Sequence, residues 1–386
     1  MLPDIKSFPV NWVDGMKISS QDFISLENAL SEGIRDARSL HVNEFSYGLL
    51  PTNHPEVDNY PKLVFDYAKS QLVLKECRAL TPGGHRVEVT EANFERRKYP
   101  AQLPSVTVAT QEPGRYDVYL LLDPLERVGA GEFAENNPPR YRSVSPKYEL
   151  SVRVHDGQPI EQESFLKISE IEVREGRVDV RSSSGRYIPP CTSLQAHSSL
   201  RREHAGGEER LKALLQHYLN LCHRMGGETK NESAQEAIQL AEKIVAPVVS
   251  TLSYYRYLLP QRPPLFLVVY VKDYARTVRF LLEKSFRGEV INRYKKNLVE
   301  LIAEVEKTEP RHAAIRPSLE KGQNFLNELE RFLAELSKHS FEIRSFDITD
   351  FNRLGSYPEP ARPTPEPVRP EPVVVRPPEP TVVRQF

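Results

Sequence analysis

The chain has 386 residues, with 52 Lys and Arg against 53 Asp and Glu, a formal net charge of -1 and 39% hydrophobic residues. That length allows two or three domains with a sizeable core, and the balanced charge excludes a field that would gather nucleic acid or an anionic membrane. Three cysteines (Cys77, Cys191, Cys222), no signal-peptide pattern and a longest apolar run of only residues 265–271 predict a soluble cytoplasmic protein without disulfides.

The first predicted element is an aromatic, turn-rich segment, Trp12-Val13-Asp14-Gly15-Met16-Lys17-Ile18 continuing to Phe23, in which Gly15 permits a tight turn and the apolar side chains can bury an otherwise loose terminus. Any of them left exposed would be free to touch a partner. From residue 60 to 190 the punctuation is that of β structure. Residues 71–77, 85–89, 105–109, 116–122, 148–154 and 165–173 read as strands, with a turn at Thr81-Pro82-Gly83-Gly84. Residues 124–146 read as a long polar surface loop. Short strands with turns between them predict an antiparallel β-sandwich over residues 1–190.

The period becomes helical after Tyr187-Ile188-Pro189-Pro190. Leu211, Leu214, Tyr218, Leu221 and Met225 share one stripe. Ala234, Ile238, Ala241, Val245, Val248, Leu252, Tyr255 and Leu259 then keep 4-3 spacing, with Asn231 as a cap and Pro247 as an expected kink. Three further stripes run Leu267 to Leu281, Ile291 to Val305 and Leu319 to Leu336. A helical bundle over residues 191–339 accounts for all of them. A sharper expectation is that Ile238, Val245, Val248, Leu252, Tyr255 and Leu259 also form a coiled-coil seam closing a homotrimer, with Tyr254, Tyr257, Phe280 and Phe286 widening the apolar surface. The fold class expected is therefore α+β and multidomain.

Residues 340–356 read as a short extended segment. Residues 357–386 form a Pro-rich tail holding ten of the 32 prolines, a composition that favours disordered, extended chain of about 3.1 Å per residue. The tail is either an inert spacer or a tether. Val382, Val383 and Phe386 at its end are suited to adding a strand to a partner's sheet.

No motif for catalysis emerges. Gly83-Gly84 and Gly226-Gly227 lack the spacing of a phosphate loop, and Ser182-Ser183-Ser184-Gly185 is not a nucleophile elbow. His217, Cys222 and His223 lack the i, i+4 spacing of metal ligands. Asn231-Glu232-Ser233 matches a glycosylation acceptor by letter only. Arg201-Arg202 and Lys295-Lys296 are pairs on solvated helix faces. The expectation is a protein that is not an enzyme and takes no cofactor and no metal.

Two segments carry a resemblance. Trp12-x-Asp14-Gly15-Met16-x-Ile18-x-x-Gln21-x-Phe23 resembles the opening W-x-E/D-G-M-x-L-x-x-Q-x-F of the TssK family of type VI secretion baseplate subunits. Tyr187-Ile188-Pro189-Pro190-Cys191, followed by Leu194, Ala196, Ser198 and Leu200, is similar to that family's aromatic-Ile-Pro-Pro junction, and residues 72–84 resemble its strand and turn with Gly83 in place of the acid. The resemblance covers roughly residues 5–310. It implies a β shoulder that holds the baseplate wedge (TssF- and TssG-like proteins) through Trp12, Gly15, Met16, Ile18 and Phe23, and a neck that trimerises. The family's C-terminal head, which docks the membrane complex, is expected to be missing or reduced here, with the tail taking its place. A trimeric receptor- or carbohydrate-binding tail protein of a phage-like particle is the competing expectation.

Overall fold

The computed structural model describes residues 4–52, 60–96, 103–108, 112–135, 137–157, 162–174, 177–180, 186–225, 232–283 and 289–339. The Pro-rich tail with Val382, Val383 and Phe386, the Asn231 cap and the Ser182-Ser183-Ser184 loop lie outside these residues.

The chain folds as α+β, with two antiparallel sheets followed by a run of helices. In the first sheet β3 (Gln71–Leu80) is central and pairs β1 (Gly48–Leu49), β2 (Lys62–Asp66), β4 (Arg86–Thr90) and β5 (Ser105–Thr107). Alternate residues Leu72 and Leu74 are buried. A register shift against Lys62 and Leu63 then moves the phase, so Cys77 and Ala79 continue the same inward set. The second sheet has the order β7-β6-β8-β9, from β6 (Gly114–Ala134), β7 (Arg140–Val154), β8 (Phe165–Arg174) and β9 (Arg177–Val180). The sheets touch where β5 meets β7 and β2 meets β9, and the Glu88 N–H donates to the Tyr148 hydroxyl across them at 3.4 Å.

Two expectations are corrected here. Residues 124–146 are not a loop, because most of them belong to the long β6–β7 hairpin, whose pairing runs from Tyr116–Val154 to Ala134–Arg140. The prolines that mimic loop punctuation sit at an irregularity. The ladder breaks between Asp123 and Arg127, where Asp123 Oδ1 accepts from the N–H groups of Leu125 and Glu126 at 2.9 and 3.0 Å, and it resumes with Arg127 opposite Pro146. The N-terminal segment, in turn, leads into a 20-residue helix, α1 (Ser20–Ser39), which the apolar pattern does not announce. A short helix α2 (Glu91–Arg96) follows β4.

The helical half consists of α3 (Ser198–Met225), α4 (Glu232–Ser253), α5 (Pro264–Glu283), α6 (Glu289–Lys307) and α7 (Arg316–Lys338). α7 packs against α3, α5 and α6, while α4 packs between α3 and α5. Helix α4 continues through Pro247, whose carbonyl accepts from the Ser250 and Thr251 hydroxyls at 2.9 and 2.7 Å. It then widens into a π turn, Tyr254–Leu258, and closes as a 3-10 turn, Leu259–Gln261.

The halves share one core, and the sheets and helices together make one compact unit, Met1–Phe341. The segment through Pro190 joins them. The Leu49 N–H donates to the Pro190 carbonyl at 2.7 Å, the Thr192 N–H donates back to the Leu49 carbonyl at 2.9 Å, and the Tyr187 hydroxyl reaches the Ala313 carbonyl at 3.3 Å.

Candidate functional site

The N-terminal segment turns at Gly15, which has φ of +80°, and the Met16 N–H donates to the Val13 carbonyl at 3.1 Å. A capping box then starts α1. The Asp22 carboxylate accepts from Ser19 N–H and Oγ–H, each at 2.7 Å, which holds its carboxyl below the usual range. Trp12 lies 6.5 Å from Phe23, centroid to centroid. Trp12, Ile18 and Phe23 are exposed and Met16 is half-buried, so most of this segment faces solvent instead of filling the core.

Helix α1 is oriented against the usual pattern. Its fully buried residues are Arg35 and Ser39, with Ile24 and Leu26 half-buried, and polar contacts tie it to the rest of the chain. Arg127 of β6 donates to Glu27 and to Asn28, each at 2.6 Å, and Arg35 donates to the Asp4 carbonyl at 2.9 Å and to Glu32 at 2.6 Å. Phe23, Leu30 and Ile34 face outward. The Ser19-x-x-Asp22 spacing was the one sequence signal that could have located this helix start.

The residues expected to form a trimer seam are placed differently. Val245, Val248, Tyr255 and Leu259 are buried by helices of the same chain, and Ile238 and Leu252 are half-buried. Tyr255 stacks on His204 at 4.7 Å, and its hydroxyl donates to the His204 carbonyl at 3.2 Å. The 4-3 spacing therefore describes an intramolecular core. The apolar residues that α4, α5 and the turn between them do expose are others: Val249, Tyr257, Leu258, Phe266, Val269 and Phe280.

A buried charge cluster, invisible in the sequence, sits in the second sheet. Lys167 Nζ lies 2.8 Å from Asp117 Oδ1 and 2.9 Å from Glu170 Oε1, and His155 Nδ1 donates to Asp117 Oδ1 at 2.7 Å. The Tyr119 hydroxyl donates to the other Asp117 oxygen at 3.4 Å. Asp117, His155 and Glu170 would make a plausible three-ligand metal set, since their ligand atoms lie within 4.8 Å of one another. The Lys167 ammonium already fills the cation position, so the cluster is an ion network closed on itself. Lys167 Nζ also lies 4.7 Å from the Tyr187 ring centroid, which ties the cluster to the junction. His217, Cys222 and His223 lie along α3, as their spacing implied, and none joins a metal-binding group among the described residues.

Two buried histidines flank the same junction. His312 Nε2 donates to the Tyr47 carbonyl at 2.8 Å, and burial pushes its pKa down to about 4. His197 is also pushed down to about 4, chiefly by burial, with Arg201 adding to it. Both are neutral when folded, while the unfolded chain titrates near 6.5. Their contribution is thus complete above pH 6.5 and is lost as the pH falls towards 4, by about 1–3 kcal/mol for each group. Urea midpoints should drop over that window, and His312→Gln should flatten the slope. An equal slope in the variant would contradict this assignment.

No helix among the described residues is long and apolar enough to cross a membrane. No protein-family model matches the sequence, and no curated protein matches it. Solved structures do. A chain of the baseplate complex from the type VI secretion system aligns with a TM-score of 0.51 at 14% identity, over 85% of this chain and 99% of that one. A crystal structure of TssK aligns at 0.48 with 15% identity, over 85% and 70% of the two chains. TssK from the EAEC type VI system, in complex with a nanobody, aligns at 0.46 with 15% identity, over 80% and 99%. The first of these alignments establishes that the chain shares the fold of a type VI baseplate component.

Proposed function

We propose that the protein is a non-enzymatic structural subunit of a type VI secretion baseplate, acting on the cytoplasmic side as an adaptor between the wedge and the membrane-anchoring complex. The observation that carries this reading is the shared fold over nearly the whole of a baseplate chain, joined to the exposed Trp12-to-Phe23 segment that resembles the TssK opening. In this reading the two sheets are the shoulder sandwich and α3–α7 are the neck. Wedge proteins of the TssF and TssG kind dock on the outward N-terminal residues. A homotrimer closes through the exposed face of α4 and α5, and residues 357–386 serve as the membrane-side tether.

The test is co-purification. Trp12→Ala combined with Ile18→Glu alters only exposed side chains, so the fold should survive while wedge proteins are no longer retained. A folded variant that retains them at the wild-type ratio would overturn the docking role. For the trimer, Val249→Asp with Phe280→Asp should reduce the mass in solution. A wild-type monomer at micromolar concentration would sink that part.

A further inference from the structure

Helix α1 presents more than an exposed stripe. Nine large apolar side chains between residues 5 and 40 are exposed (Ile5, Phe8, Trp12, Val13, Ile18, Phe23, Leu30, Ile34, Leu40). Of these, Phe23, Leu30, Ile34 and Leu40, on or ending α1, offer on the order of 500 Å², the size of the largest apolar patch on a typical monomer, which is often functional. Within α1, Phe23, Leu30 and Ile34 lie within about 40° of one another in helical phase, so they form one ridge, with Leu30 60% and Ile34 54% exposed.

Beside that ridge runs a groove. Ala29, Gly33 and Ala37 recur every fourth residue. Gly33 lies in the middle of the helix, where glycine is unfavourable relative to alanine, and a Cβ built on it would meet nothing within 4 Å. Nothing in the chain itself therefore requires glycine here. Glycine here would let a second helix approach closely.

The charges indicate which helix. Glu27 and Arg38 lie on the same flank of the ridge, about 20° apart in phase. Glu27 remains 63% exposed while it holds Arg127, and Arg38 is exposed. In an antiparallel pair of identical helices, like flanks meet. A crossing centred at Glu32 sets Leu30 against Ile34 of the other copy, Phe23 against its Leu40, and Glu27 within one residue of its Arg38. The Ala29-Gly33-Ala37 flanks of the two copies then also face each other, where the small residues let the backbones approach.

We propose that α1 is a self-association surface through which two copies of the chain pair antiparallel about a two-fold axis. This goes beyond the baseplate reading; the ridge shares only Phe23 with the proposed wedge-docking segment, so the variants below sit at Leu30, Gly33 and Arg38, and the α4–α5 face is separate. The experiment is sedimentation of the full chain over about 1–100 µM, a range suited to an interface of this size. The mass of the dilute species should double. Leu30→Glu and Gly33→Leu should each abolish the doubling and leave the dilute mass unchanged, and Arg38→Glu should raise the doubling concentration about tenfold. Gly33→Leu improves helix propensity at an exposed position whose added Cβ meets no atom of its own chain within 4 Å, so its failure to pair would not reflect misfolding. Phe280→Asp should change the dilute mass without affecting the doubling, which separates this surface from the neck. A wild-type mass constant across the range, or doubling that persists in Leu30→Glu or Gly33→Leu, overturns the proposal.

Discussion

Replacing Lys167 by methionine is expected to lower the unfolding free energy by about 3–5 kcal/mol, because it removes the cation from a buried ion network and leaves its carboxylates facing each other. The ammonium is bonded to Asp117 and Glu170 at 2.8 and 2.9 Å, and the side chains of Lys167 and Asp117 are nearly inaccessible. With the cation gone, two carboxylates whose oxygens lie no more than 4.8 Å apart repel by about 3 kcal/mol at an effective dielectric of 20. His155, bonded to Asp117 at 2.7 Å and 3.9 Å from Glu170, offers only partial compensation. One carboxylate of the variant should therefore take up a proton, with a folded pKa above its unfolded value. The variant's deficit is then smallest at low pH and grows as the pH rises through that raised value. Equilibrium unfolding at pH 5 and pH 7 measures both effects. Adding Asp117→Asn and Glu170→Gln to Lys167→Met should restore most of the loss, since a neutral cluster of similar shape no longer buries unpaired charge. A single variant within about 1 kcal/mol of wild type would show that the network is solvated and structurally idle. The consequence reaches past the sheet. Lys167 lies under Tyr187, whose hydroxyl holds the Ala313 carbonyl of the helical half, so a displaced cluster should also loosen the joint between sheets and helices.

What the sequence made legible follows from periodicity. Leu72 and Leu74 on β3 and the stripes of α3–α7 bury one face, and a single period reports them. Helix α1 escaped because its fully buried residues are Arg35 and Ser39 while Phe23, Leu30 and Ile34 face water. Its apolar stripe belongs to a surface, and a pattern read as packing pointed to a loose, turn-rich strap. The β6–β7 hairpin escaped because Pro124 and Pro146 normally mark loops, whereas here they lie at or beside a break in the ladder. The 4-3 spacing of α4 was read correctly as a helix seam, but spacing does not say whose helix fills it, and the chain's own helices bury Val245, Val248, Tyr255 and Leu259. The ion network draws Asp117, His155 and Lys167 from separate strands and strand ends, an arrangement only pairing register can create.

Among the described glycines, Gly48→Ala is expected to be the most damaging substitution. Gly48 has φ of +110°, a backbone conformation that L residues avoid, and a Cβ there would lie 2.0 Å from the Pro190 carbonyl oxygen, 2.2 Å from its carbon and 2.8 Å from the Cys191 nitrogen. All three are backbone atoms and cannot rotate aside. Accommodation requires β1 to move away from the junction segment, which puts three hydrogen bonds at risk: Leu49 N–H to Pro190 O at 2.7 Å, Thr192 N–H to Leu49 O at 2.9 Å and the Thr192 hydroxyl to the same oxygen at 3.0 Å. Each contributes about 0.5–1.5 kcal/mol, and the left-handed strain adds about 1–2 kcal/mol, so a loss of about 3–5 kcal/mol is expected. Gly157→Ala supplies the control. Its φ is +77°, yet nothing lies within 4 Å of the added methyl, so it should cost only the strain. Urea unfolding of the two variants side by side separates steric exclusion from backbone conformation. If Gly48→Ala falls within about 1 kcal/mol of Gly157→Ala, β1 is not held against Pro190, and the helices are joined to the first sheet by the shared core and the His312–Tyr47 hydrogen bond.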